Sequence, residues 1–184
     1  MWITSTPNAL EVAVGASAAS LATALDGTKA PGLALYAIVA NVDMWYAQGI
    51  ADTVFTVVAA TDIATATAHK LRTGMPIQVS NAGGGLPAGL SAATTYWVNA
   101  IDPNTFYFYD TQAHAIAGAA PGRIDITTAG TGTQTATTVA TAGAGSKFLP
   151  AKAVDYVDGA YGAKISVIQD SSGGKSSLSP MVRV

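Results

Sequence analysis

The sequence predicts an all-β fold built from small antiparallel β-sandwich or barrel units. Three observations carry this. Short segments that alternate apolar and polar residues recur along the chain, and a period of two marks strands with one buried face. Gly, Pro, Asn and Asp punctuate these segments, as tight turns require. No long amphipathic helical pattern interrupts the series. Composition adds that the core is thin. About a fifth of the 184 residues are Ala, and Leu, Ile, Val and Phe together make up about 22%, just above the level of disordered chains.

Three zones can be separated along the chain. In the first, residues 1–55, Leu10 to Val14 reads as a short strand ended by Gly15. Ala16 to Leu25 reads either as a short helix, since Ala and Leu propagate helices, or as an Ala-padded strand and turn. Leu35 to Tyr46 reads as one long strand, with Tyr36, Ile38, Ala40, Val42, Met44 and Tyr46 on one face. Trp45 breaks the polar face of that strand and is a candidate interface anchor.

The middle zone, residues 56–138, is dense with short strands. Met75 to Ser80 alternates, and Asn81 to Gly85 reads as a flexible turn. The best hairpin joins Thr95–Ile101 to Thr105–Tyr109 through Asp102-Pro103-Asn104, which places Pro and Asn where a tight turn wants them. Arg123 to Thr127 reads as another strand. In the last zone, residues 139–184, Ala153–Val157, Lys164–Gln169 and Ser177–Val184 read as strands. Pro180 puts the last of these at a sheet edge or makes it begin there.

Charge and composition limit the function classes. Charged residues are 11% and the formal net charge is −2, against a usual charged fraction of roughly 25%. Such a surface repels its own copies weakly, so it suits a chain largely covered in an assembly and a homo-oligomer. The nine basic residues are scattered, which excludes nucleic acid as a partner, because phosphate neutralisation needs clustered Lys and Arg. Cysteine is absent, so there are no disulfides or thiolate metal sites. The first residues show no basic segment followed by an apolar one, hence no signal peptide is expected. The apolar-looking run 12–25 is too short and too rich in Ala and Ser to span a membrane, so no membrane partner is expected.

The search for chemistry ends in fragments that each lack a partner. The single Glu is Glu11, and the other ten acids are Asp, mostly beside turn residues. General acid–base work needs two carboxylates, or a carboxylate and a His, in mutual reach. Asp155 and Asp158 are close in sequence but read as turn or solvated positions. His69 and His114 have no second ligand at metal spacing and read as surface or hydrogen-bonded loop residues. Gly173-Gly174-Lys175-Ser176 lacks the earlier Gly of a phosphate loop, since Gln169 stands there, and no helix pattern follows it. No catalytic, cofactor-binding or metal-ligating residue is assigned, and no cofactor is expected. The aromatic strand is more open. Either Phe106, Tyr107, Phe108 and Tyr109 all pack within a thin two-layer core, or one pair faces outward. An outward pair at Tyr107 and Tyr109, with Trp97 beside them, would stack on a glycan or anchor a protein contact. Trp97 itself reads as core.

The middle zone resembles a small β module that recurs in structural proteins of tailed phages. The resemblance rests on Ala66-Thr67-Ala68-His69, Lys70-Leu71-Arg72-Thr73-Gly74, Leu86-Pro87-Ala88-Gly89-Leu90, Thr94 to Val98, Asp102-Pro103-Asn104-Thr105-Phe106 and Ile124-Asp125-Ile126-Thr127. It covers nearly the whole zone. The outer zones resemble one small β-sandwich of phage decoration and head- or tail-associated proteins, through Tyr36 to Val39, Trp45-Tyr46-Ala47, Phe148-Leu149-Pro150 and Ala163 to Ile168. The resemblance implies a discontinuous docking domain, residues 1–55 plus 139–184, with a second β domain, residues 56–138, inserted in a loop and projecting. It further implies a non-enzymatic virion protein assembled in the host cytoplasm. Its partners would be other virion proteins, either the major capsid protein or neighbouring subunits. The alternative it leaves is a tail, fibre or spike component that binds host-surface glycan through exposed aromatics. The Ala-rich stretch 16–25 departs from the pattern and leaves strand order there open.

Overall fold

The computed structural model of the chain describes residues 2–4, 10–14, 20–21, 34–40, 42–48, 52–143, 145–159, 165–170 and 174–183. Their architecture is all-β with one short helix. The strands are β1 (Trp2–Thr4), β2 (Leu10–Val14), β3 (Ser20–Leu21), β4 (Ala34–Ala40) and β5 (Met44–Gln48). Then come β6 (Thr53–Val58), β7 (Ile63–Thr65), β8 (Pro76–Ala82), β9 (Tyr96–Asp102) and β10 (Thr105–Tyr109), with helix α1 (Gln112–Ala117) and β11 (Thr133–Thr138). The last are β12 (Lys147–Leu149), β13 (Val154–Gly159), β14 (Ile165–Gln169) and β15 (Gly174–Arg183). The chain divides into two compact units, residues 1–51 with 139–184, and residues 52–138. The division falls before Asp52 rather than after Phe55, and Phe55 is buried in β6, a strand of the second unit.

The second unit is a closed antiparallel barrel of six strands in the order β10-β7-β6-β11-β8-β9. Alternation sets its inside. Phe55 and Val57 point in from β6 while Val54 and Val58 point out. Phe106 and Phe108 enter from β10, Ile77 and Val79 from β8, and Tyr96 and Val98 from β9. The rings meet at steep angles: Phe55 lies 5.4 Å from Phe108, tilted, and Phe106 lies 5.2 Å from Phe108, edge to face. Such aromatic contacts add to area burial. His69 is buried against Phe106 and accepts the Leu71 N–H at Nδ1, 2.9 Å away. The segment 123–127, expected to be a strand, contributes only a bridge between Arg123 and Tyr109. Ile126 is buried there, and its N–H is held by Asp62.

The first unit holds two sheets. One runs β1-β15-β4-β13, with β2 also on β15; the other runs β12-β5-β14-β3. The long strand expected over 35–46 is two strands in different sheets. The chain turns at Val42–Asp43, where Asp43 accepts the Ala151 N–H on its carboxylate and the Asp170 N–H on its carbonyl. The turn preserves parity, so Ile38, Ala40, Met44 and Tyr46 are all buried although they belong to two sheets. Pro180 is not on an edge strand, because β15 pairs along its length with β4. On its other flank β2 begins at Leu10, opposite Leu178, and β1 ends at Thr4, opposite Met181, so among the described residues Pro180 has no strand partner on that side, a place that tolerates a missing N–H. Ser20–Leu21 are strand β3; the other residues of the 16–25 stretch lie outside the described residues, as does the 171–173 turn.

Candidate interaction surface

Trp45 stands in register with Phe148 of β12 and Ile168 of β14. Residues directly opposite across a ladder share a face. The three side chains therefore form one apolar row on the face opposite Met44 and Tyr46. Trp45 and Phe148 lie 5.1 Å apart, tilted by 56°. Phe148 is 40% exposed, while Trp45 and Ile168 are half-buried. The indole N–H of Trp45 donates to Asp170 at 2.8 Å. That bond fixes the ring, so the row is presented as a formed surface.

The other sheet of this unit carries a second apolar stretch. Val154 and Tyr156 of β13 are 49% and 55% exposed, and Val39 faces Val154 across the ladder, half-buried. Between them Asp155 points the opposite way, on the side of buried Ile38. This reverses the usual apolar-in pattern and corrects the expectation of a turn or solvated Asp155. Its carboxylate accepts the Tyr46 O–H, the Lys147 ammonium at 2.6 Å and the Tyr156 N–H at 2.8 Å. Lys147, then Tyr46, hold the Asp155 carboxyl below its ordinary range. Burial, then the Asp155 hydrogen bond, push the Tyr46 phenol up.

The barrel corrects the aromatic platform. Trp97, Tyr107 and Tyr109 do leave the barrel interior, but α1 stands over that outer face. Tyr109 is 1% and Trp97 8% exposed, packed with fully buried Ala115 of the helix. Asn99 Nδ2 donates to the Ala115 carbonyl at 2.7 Å and ties the helix down. Tyr107 is half-buried with the Arg123 guanidinium 4.8 Å from its ring centre. Neither Trp97 nor Tyr109 offers a ring face to a sugar. The helix was read as an Ala-rich loop containing His114. Thr111 caps its N-terminus through its side chain and Gly118 ends it in a left-handed conformation, a Ser/Thr-to-Gly signature that was legible but short.

Of the four sequence candidates only Trp45 lies on an apolar surface row. Phe148, Ile168, Val154 and Tyr156 were missed. Phe148-Leu149 gave a signal, since two adjacent large apolar residues in a strand must face opposite ways. No group of three or more His, Asp or Glu among the described residues converges where a metal would sit. His114 pairs with Asp110 at 2.6 Å and depresses the Asp110 carboxyl; His114 is half-exposed on α1, and exposed Asp110 precedes the Thr111 cap. No helix among the described residues is long and apolar enough to cross a membrane. The geometry defines an all-β protein with a six-stranded barrel and a two-sheet unit. No family model matches the chain, no characterised protein matches it, and no solved structure matches it.

Proposed function

We propose that this chain is a structural protein of a phage or phage-like virion, a capsid decoration, cement or other minor head-associated protein that works by packing rather than by catalysis. The observation that carries the reading is the Trp45–Phe148–Ile168 row. It is an ordered apolar strip on the outside of a sheet, where a monomer would place polar residues. Val154 and Tyr156 supply a second apolar stretch on the other sheet. Burial of a few such residues against a neighbour contributes about 25 cal/mol per Å² of apolar area. Repetition over a symmetric lattice turns weak contacts into firm attachment. The low charge of the chain and its resemblance to phage modules favour the same setting. The partner is the major capsid protein or a neighbouring copy.

The test is a reconstruction of the particle from the source of the chain. The reading expects density for the chain at symmetry-related positions, with Trp45 and Phe148 covered by a capsid protein or by another copy. Absence of the chain from purified particles overturns it.

A further inference from the structure

The last strand of one sheet, β13, pairs with β4 and with no other strand among the described residues. An open flank presents free N–H and C=O groups to which another strand can add. Proteins guard such flanks in several ways, one of which is a charged side chain turned inward. Asp155 is such a side chain. Its carboxylate gathers three donors from three strands: Tyr46 of β5, Lys147 of β12 and the Tyr156 N–H of β13 itself. The first two join the edge strand of one sheet to the opposite sheet. The third occupies a donor of the edge strand.

We propose that Asp155 is an acid-sensitive latch at this edge: ionised, it holds the two sheets together and keeps β13 unavailable, and protonated, it releases β13 to pair with β13 of a second copy. The second copy is the occupant that the strand's own chemistry selects. Val154 and Tyr156 are exposed on one face, so antiparallel self-pairing sets apolar against apolar across a two-fold axis. The groups that face Asp155 from packed elements are Lys147 and Tyr46. Both favour the ionised form, so the latch is closed at neutral pH. Because the folded carboxyl lies below its ordinary value of 3.8, its contribution is complete above that value and is lost as pH falls through the folded one.

Sedimentation velocity of the full chain tests this between about pH 7 and about pH 2, for wild type, Asp155→Asn and Lys147→Gln. Wild type is expected to gain a species of twice its neutral-pH mass at acid pH, with faster amide exchange confined to peptides from 147–159. Asp155→Asn is expected to show that species already at neutral pH. Lys147→Gln keeps the carboxylate but loses its cation, so its midpoint is expected to move up toward 3.8. Should Asp155→Asn fail to fold by circular dichroism, the Lys147→Gln midpoint decides. A wild-type mass constant across the range, an unshifted Lys147→Gln midpoint, or a folded Asp155→Asn that keeps the neutral-pH mass overturns the latch. Acid association that accompanies global unfolding overturns it as well.

Discussion

In the barrel, Phe55, Phe106 and Phe108 meet ring to ring inside six closed strands. In the two-sheet unit, the described core includes Ile38, Ala40, Met44, Val139, Leu149 and Val167, with a polar link between Tyr46, Asp155 and Lys147. Closure removes every edge, so the barrel needs no guard and spends its inward positions on large apolar rings. The open unit has edges, and its described interior side chains are smaller. It turns a carboxylate inward at one edge and large apolar residues outward on both sheets. The two units also differ outside: the barrel covers its outward aromatics with its own helix and exposes only aliphatic side chains among its large apolar residues (Val54, Val58, Ile101 and Ile116), whereas the open unit exposes the rings of Phe148 and Tyr156 beside Val154.

The comparison is open to attack at several points. Phe108→Ala removes a fully buried ring from the barrel core and is expected to cost about 3–5 kcal/mol. Hydrogen exchange read by mass spectrometry is expected to rise across residues 52–138. Gly89→Ala comes next. Gly89 has φ +105°, and a Cβ there would collide with the Asp125 carbonyl oxygen, a backbone atom that cannot turn aside. A loss of about 2–3 kcal/mol is expected in denaturant titration, again in the barrel. Tyr46→Phe removes the phenol from the Asp155 link and is expected to cost about 1 kcal/mol, with faster exchange in the two-sheet unit alone. Tyr156→Ser is expected to change stability by no more than about 0.5 kcal/mol, because the ring is over half exposed. A large loss on Tyr156→Ser would show that the ring serves the fold, and would blur the contrast between the two units.

Much of the fold was legible where the signal is local. The β9–β10 hairpin was read from its turn, and the turn chemistry is as expected: Asp102 accepts the N–H groups of Asn104 and Thr105. The strand and turn punctuation gave the all-β class. Alternation over 35–46 gave four buried residues, Ile38, Ala40, Met44 and Tyr46, but hid the turn at Val42–Asp43, where Val42 is only half-buried, because the chain changes sheets without changing parity. Helix α1 has six residues, too few for a helical period to stand out against Ala-rich surroundings. That missing helix is the reason Tyr109 looked available; Trp97, which reads as core, is buried beneath it. The inward turn of Asp155 was illegible because Tyr46, its phenol partner, lies 109 residues away in sequence. Trp45 was legible as a break in a polar face; its neighbours Phe148 and Ile168 join it only through strand pairing.

An outward apolar row that attaches the two-sheet unit to a particle would be disabled by a charge placed at Phe148, its most exposed ring. Co-sedimentation with particles stripped of the chain measures this directly, for wild type against Phe148→Asp. Wild type is expected to pellet with the particles at a saturating, symmetry-set copy number, and a folded Phe148→Asp is expected to remain in the supernatant. Wild type that stays in the supernatant, or Phe148→Asp that pellets equally well, would contradict the account.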